Sequence, residues 1–294
     1  MDGILNIRKE KGYTSHDVVA KLRGILHMKK IGHTGTLDPE AEGVLPIALG
    51  KATRLAELLT DKEKTYEALL HLGVETDTQD MTGTVLREQE VSVTEEEVRS
   101  VICGFLGDQM QIPPMYSALK VGGRKLYELA RQGKTVEREP RPVHFYEIEI
   151  PEINLPLVRI SVTCSKGTYI RTLCHDIGSA LGCGGSMESL VRTKSGRFTL
   201  KDSVSLSRVQ EAAEQGTVSE LVIGIEEILE EYPRLCCIQN GDRLLMNGNP
   251  LTEEMVQHQH REGWVRMCTS QALFAGIYAW DDKKKKYYPI KMFC

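Results

Sequence analysis

No apolar run in this 294-residue chain approaches the ~20 residues that a membrane-crossing helix requires. The opening residues, Met1-Asp2-Gly3-Ile4, lack the basic and apolar regions of a secretory leader. The eight cysteines contain no Cys-x-x-Cys pair. Cys236 and Cys237 are adjacent, which is poor geometry for two ligands of one metal, and Cys174-His175 sits in an expected amphipathic helix, where packing explains it better than zinc. The cysteines read as reduced thiols, so a cytoplasmic location is expected and a metal site is not. Internal repeats and low-complexity segments are also absent. Positive charge is short overall: the net charge is −4 and the pI about 6.1, which weighs against a nucleic-acid partner.

What is present is ordinary in bulk and uneven in detail. Hydrophobic content of 41% and charged content of 27% belong to a globular protein with room for one large domain or two smaller ones. The charge is segregated. Residues 113–143 carry seven Lys/Arg against three acids, whereas residues 205–231 carry one base against seven acids. A basic face is therefore possible despite the acidic total, although two solvated surfaces would give the same count.

The stretch Gly32-His33-Thr34-Gly35-Thr36-Leu37-Asp38-Pro39, continued through Gly43-Val44-Leu45-Pro46 to Gly50-Lys51-Ala52-Thr53-Arg54, has no helical or strand period. Pro39 pushes Asp38 toward extended angles, which sets its carboxylate on a loop. Gly32 and Gly35 allow positive φ or close backbone approach. Asp38 as an N-cap ahead of Pro39 is the ordinary alternative. Against it, Ala41 stands where a capping-box acid belongs, and Gly43 and Pro46 would end the helix at once. A phosphate loop fails too, because Gly43 and Gly50-Lys51 are misspaced and Ala52 replaces the required Ser or Thr. A functional loop is the better reading.

Along the chain, residues 4–8 read as a strand, and Thr14 or Ser15 caps a helix with Val18, Val19, Leu22, Ile25 and Leu26 on one face. Residues 64–74 read as a strand carrying Tyr66, which by itself suggests only cross-strand packing. Thr94 and Glu97 form a capping box for a helix expected to run to Gly107. Residues 108–143, bounded by Pro113-Pro114 and Arg138-Glu-Pro-Arg-Pro142, look like a basic insertion with a short helix near 124–132. Residues 143–150 and 157–164 read as strands. A helix follows Tyr169, with Ile170, Leu173, Ile177 and Leu181 apolar and Gly182 at its end. Arg171 in its first turn is electrostatically unfavourable, which favours a specific anionic partner. Residues 205–231 read as helical, with a linker near Tyr232-Pro233 and a small β-rich tail in which Lys283–Lys286 is either a phosphate contact or a solvated turn.

The run GHTGTLDPEAEGVLPIALGKATR resembles the signature of the TruB-type tRNA pseudouridine synthases, and KEKGYTSHDVV, KTYEA at 64–68, PPMYSALK at 113–120, SKGTYIRTLCHDIG at 165–178 and SLVRTKSGRF at 189–198 agree in the same order. The resemblance implies an α+β fold, with a central mixed and largely antiparallel sheet flanked by helices. It implies a catalytic domain over 1–232 with a thumb inserted at about 108–143, and a PUA-like RNA-binding domain over 233–294. It implies isomerisation of uridine to pseudouridine at position 55 in the tRNA T-loop, with no cofactor. The expected partner is the T-arm stem-loop, with no membrane, guide RNA or obligate protein partner, and a monomer is expected.

That reaction breaks the N1–C1′ bond, turns the base and rejoins it through C5, with no electrons exchanged. It needs a carboxylate near C1′ and C6 in a dry pocket. The resemblance assigns that carboxylate to Asp38, which could attack C6, attack C1′ or assist a glycal route. It makes Arg171 the cation that orients the carboxylate and Tyr66 the ring that stacks on uracil and can shuttle a proton. His33 matches the residue that fills the space vacated by flipped nucleotides. Tyr169 and Leu190 match pocket residues, Lys9 a basic position beside the cleft, and Gly35 the substrate loop. The family usually has proline after that lysine, and Glu10 stands there instead. Two other classes compete: a non-catalytic RNA-binding protein on the same scaffold, and a glycoside hydrolase, which normally needs two carboxylates.

Overall fold

A computed structural model describes residues 1–294. In chain order its strands and helices begin with β1 (Gly3–Lys9), α1 (Ser15–Leu26), β2 (Ile31–His33), β3 (Glu42–Leu49), α2 (Ala56–Thr60), β4 (Lys64–Leu72), β5 (Val74–Thr76) and β6 (Val85–Glu88). They continue with α3 (Glu95–Cys103), β7 (Gly107–Gln111), β8 (Lys120–Val121), β9 (Arg124–Lys125), α4 (Leu126–Ala130), β10 (Arg141–Asn154), β11 (Leu157–Cys164), α5 (Ile170–Ala180), β12 (Gly185–Ser195) and β13 (Phe198–Thr199). Then come α6 (Leu206–Gln215), β14 (Val222–Gly224), α7 (Ile225–Ile228), β15 (Arg234–Cys236), α8 (Asp242–Met246), β16 (Leu251–Thr252), β17 (Trp264–Cys268), β18 (Phe274–Asp281) and β19 (Lys286–Met292).

The large sheet runs β14-β1-β3-β12-β4-β11-β10-β7, with β2 on β3 and β13 on β12. Only the β3–β12 pair is parallel, so the sheet is mixed and largely antiparallel. The continuous apolar run of β3 follows from burial on both faces. Leu45, Ile47 and Leu49 join the main core with Val18 and Leu22 of α1 and Leu173 and Ile177 of α5, while Val44 and Ala48 face a second core. That second core includes Ile277 from the second sheet, ordered β15-β17-β18-β19-β16, and Phe293 just beyond β19. The small β-rich tail is this curled, PUA-like sheet. No helix is long and apolar enough to cross a membrane.

Two glycines are required where elements meet. Gly43 has φ +106°, and a Cβ there would stand 2.2 Å from the Arg192 carbonyl oxygen; only glycine lets β3 run beside β12 at that point. A Cβ on Gly178 would stand 2.1 Å from the Gly185 nitrogen, so this glycine lets α5 lie directly on β12.

Several boundaries differ from the sequence expectations. The helix capped by Thr94 ends at Cys103, and Gly107 instead opens the edge strand β7. Residues 107–111 pair with 141–145 inside the large sheet, so the part that projects lies between these two strands. The acidic 205–231 segment is interrupted by β14, which extends the sheet beyond β1. Neither Gly32 nor Gly35 has positive φ, and neither is crowded. The Asp38 loop takes its shape from other groups.

Candidate active site

Asp38 lies on the loop between β2 and β3. On one side, Leu37 is buried and its backbone N–H donates to Ser15 Oγ at 2.9 Å. On the other, the Pro39 carbonyl accepts from the Gly12 N–H and from Lys9 Nζ, both at 2.9 Å. Arg192 Nη2 donates to the Gly35 carbonyl at 3.2 Å and its Nη1 to the Thr36 carbonyl at 3.4 Å. The loop is thus held on both flanks of Asp38 by buried cations acting on backbone carbonyls.

Arg171, in the first turn of α5, meets the carboxylate. Its Nη2 donates to Asp38 Oδ1 at 3.2 Å, and its Nε stands 2.9 Å from Oδ2 as an ion-pair contact without hydrogen-bond alignment. The rest of the guanidinium is fixed from behind. Nη1 donates to the Thr78 carbonyl at 3.0 Å and to Asp80 Oδ2 at 3.4 Å, and Nη2 also donates to the Tyr116 carbonyl at 2.9 Å. The anionic partners that a first-turn arginine calls for are therefore Asp38 and Asp80. Asp80 is itself fixed, because its Oδ1 accepts from the Thr78 and Thr82 hydroxyls and from the Thr82 N–H.

Tyr66 lies on β4 opposite Val162 on one side and Arg192 on the other. Burial holds its phenol above the usual range, with the Arg192 guanidinium opposing that shift. The phenol is therefore protonated at neutral pH and able to give or accept a hydrogen bond. Leu190 sits opposite Ala68 on the face of β12 that carries Arg192, within the main core. Tyr169 is the N-cap residue of α5 and supplies no side-chain cap.

His33 ends β2. Its ring meets that of His16 edge-on with centroids 5.2 Å apart, and its Nδ1 is buried without a partner. Burial chiefly, with His16 and Arg192 adding, pushes it down to about 4. The ring is neutral at neutral pH.

Lys9 is placed differently from the expectation. It is fully buried, and its ammonium donates to the Glu10, Tyr13 and Pro39 carbonyls at 2.9, 2.6 and 2.9 Å. All three donors are committed, so it positions the loop and has none left for substrate. Burial lowers it to about 8, against the raising effect of Asp38, Glu40 and Glu42.

The chain matches the family model described as "TruB family pseudouridylate synthase (N terminal domain)" over residues 23–170, and "tRNA pseudouridylate synthase B C-terminal domain" over residues 171–230. It belongs to the TruB family of pseudouridylate synthases. A relative from Lachnoclostridium phytofermentans named tRNA pseudouridine synthase B is 50% identical over the full length of both chains. One of the same name from Alkaliphilus oremlandii is 44% identical over 99% of this chain and 97% of its own. Among solved structures, one described as "Crystal Structure of a Cbf5-Nop10-Gar1 Complex" is similar with a TM-score of 0.74 at 29% identity, covering 99% of this chain and 85% of that one. Another, described as "Structure of H/ACA RNP bound to a substrate RNA containing 2'-deoxyuridine", has a TM-score of 0.73 at 27% identity, with coverage of 99% and 85%.

For this TruB-family chain, reading the sequence overlooked Arg192 and Asp80. Arg192 is 1% exposed and has no carboxylate within ion-pair distance. Its spacing of two from Leu190 on a strand was the available signal, since that period turns both side chains inward. Asp80 stood in the Thr- and Asp-rich run 76–84, whose hydroxyls and carboxylates favour local turns.

Proposed function

We propose that this pseudouridylate synthase acts on tRNA at uridine 55 of the T-loop, in the cytoplasm, as a monomer without guide RNA or protein partner. Asp38 is the reacting carboxylate, and Arg171 aims it. Tyr66 offers its ring to the uracil and its hydroxyl for proton transfer. His33 fills the vacated stack, while Tyr169, Leu190 and the Gly35 segment line the pocket. Lys9 acts one step back, through Pro39. Residues 1–232 form the catalytic unit, in which the basic insertion grips the T-arm, and residues 233–294 form an RNA-binding unit.

One observation carries this reading. A half-exposed carboxylate on a rigid loop faces an arginine whose remaining donors are fixed from behind, and it is near enough to the buried, protonated Tyr66 phenol to help hold that phenol above its usual range. That set supplies one nucleophile or base and one aromatic partner. It lacks the paired carboxylates of a glycosidase, because Asp80 is turned away to Arg171 and its threonines. The relatives named tRNA pseudouridine synthase B support tRNA as substrate.

The test is incubation of the protein with an unmodified tRNA transcript, followed by mapping of pseudouridine by position. Conversion at a single T-loop uridine is expected with RNA and protein alone. Free uracil in the supernatant would indicate a hydrolase, and binding without product would indicate a non-catalytic RNA-binding protein.

A further inference from the structure

β7 ends on Gln111, a residue 4% exposed on a strand that is otherwise largely open to solvent. Its carboxamide closes a two-point ring with the backbone of Tyr169. Nε2 donates to the Tyr169 carbonyl at 3.0 Å, and Oε1 accepts from the Tyr169 N–H at 2.8 Å. The Tyr169 N–H precedes the first turn of α5 and has no other means of satisfaction within the helix. The carboxamide does here what a neighbouring strand would do for an extended residue, at φ −102° and ψ 108°.

Two residues further along is Arg171. The same segment reaches it directly, since the Tyr116 carbonyl accepts from Arg171 Nη2 at 2.9 Å. The returning arm of the insertion is tied to the same root, with Arg138 Nη1 donating to the Pro113 carbonyl at 3.0 Å. Residues 111–116, where the chain leaves the sheet to form the basic insertion, are therefore fastened to the start of α5 at two points. One of those points is the guanidinium that aims Asp38.

We infer that Gln111 is a positioning residue for the isomerisation: it fixes the Tyr169–Arg171 corner and makes the seating of the insertion and the aim of the Asp38–Arg171 pair one mechanical unit. This deepens the function proposed above and rests on it. Gln111 acts through Tyr169 and Arg171 and need not touch RNA.

The charged groups around this corner are Asp38 and Arg171 on the cleft side and Arg141, opposite Gln111 on β10. A Gln111→Glu carboxylate can accept from the Tyr169 N–H but cannot donate to its carbonyl; once protonated it does both. The single-turnover rate of Gln111→Glu, divided by that of the wild type at the same pH, is expected to rise as pH falls from 8 to 5.5. The steepest part approaches about tenfold per pH unit, as for any rate proportional to one protonated fraction. The dissociation constant for a T-arm stem-loop should stay within about twofold of the wild type throughout, because the insertion keeps its ties through the Tyr116 carbonyl to Arg171 and through Arg138 to the Pro113 carbonyl, and the loss falls on the rate. Gln111→Met, similar in volume but without donor or acceptor, should lose about 10- to 100-fold in kcat with KM unchanged.

A flat rate ratio for Gln111→Glu overturns the inference, as does a Gln111→Met enzyme at wild-type speed or a loss of RNA affinity that accounts for the whole effect. If Gln111→Met does not fold, the Gln111→Glu profile decides alone. Wild type that makes no pseudouridine defeats the isomerase reading itself, whereas active wild type with indifferent Gln111 variants defeats only this inference.

Discussion

Asp38 and Arg171 form an asymmetric pair: the acid side chain is 37% exposed to the cleft, while the guanidinium facing it is 5% exposed. The acid is presented and the base is built in. Asp38→Ala removes only the presented half, and Arg171 keeps Asp80, the Thr78 carbonyl and the Tyr116 carbonyl. That variant should lie within about 1 kcal/mol of wild-type stability, bind the T-arm at near wild-type affinity and form no detectable pseudouridine. Filter binding beside a product assay on the same preparation checks both halves.

Arg171→Lys should be nearly as damaging. An ammonium offers three donors from one point, whereas the guanidinium reaches Asp38, Asp80 and two carbonyls with a rigid fork. A loss of about 10²-fold or more in single-turnover rate is expected, at little cost in RNA affinity. Rapid-quench kinetics at saturating enzyme measure it.

Arg192 tests whether the loop is held from its buried side. Its Nε donates to the Val44 carbonyl at 2.7 Å, besides the contacts to Gly35 and Thr36. Arg192→Met leaves these carbonyls unpaired and should destabilise the protein by about 2–4 kcal/mol, since buried groups lose their partners. Arg192→Lys should not restore it, because one ammonium cannot span β3 and the loop. Urea unfolding of the three proteins, read as the midpoint shift at constant m-value, decides the matter.

Lys9 and Lys64 give stability an unusual pH dependence. Both are buried, and burial lowers each to about 8 in the folded state, against about 10.5 ordinarily. Between pH 8 and 10.5 the unfolded chain therefore holds more protons than the folded one, so stability rises with pH across that window and is lowest, on this account, below 8. The raised phenol of Tyr66 acts in the opposite direction above about pH 10. Unfolding free energy measured from pH 8 to 10 should climb in the wild type, and the climb should be shallower in Lys9→Met.

Much of this was legible in the residues. The helix of α1 follows from a cap at Thr14 or Ser15 and its one apolar face, with the structure choosing Thr14, and that of α3 follows from Thr94 and Glu97. The placement of Asp38 on a loop follows from Pro39, and the demand of Arg171 for an anion follows from its first-turn position. What could not be read is long-range satisfaction of backbone groups. Lys9, Arg192 and Gln111 each serve carbonyls or amides 30 to 157 residues away, and no local period encodes such a partner. The same limit explains β14: three residues of ordinary apolar character become a strand only because β1 offers an open edge.

The second apolar cluster has a consequence for how the molecule comes apart. Ile277 of the small sheet and Phe293 just beyond β19 fill the same space as Ile4 and Val44 of the large sheet and Ala52 and Leu55 of the short helical turn after β3. Across the seam Lys291 Nζ donates to the Arg54 carbonyl at 2.9 Å, and the Arg54 guanidinium donates to the Met292 carbonyl. Neither sheet can melt without uncovering the oily back of the other. A protease that nicks the Tyr232–Pro233 joint would thus leave two fragments that stay clasped, and heating should dissolve them in a single cooperative step.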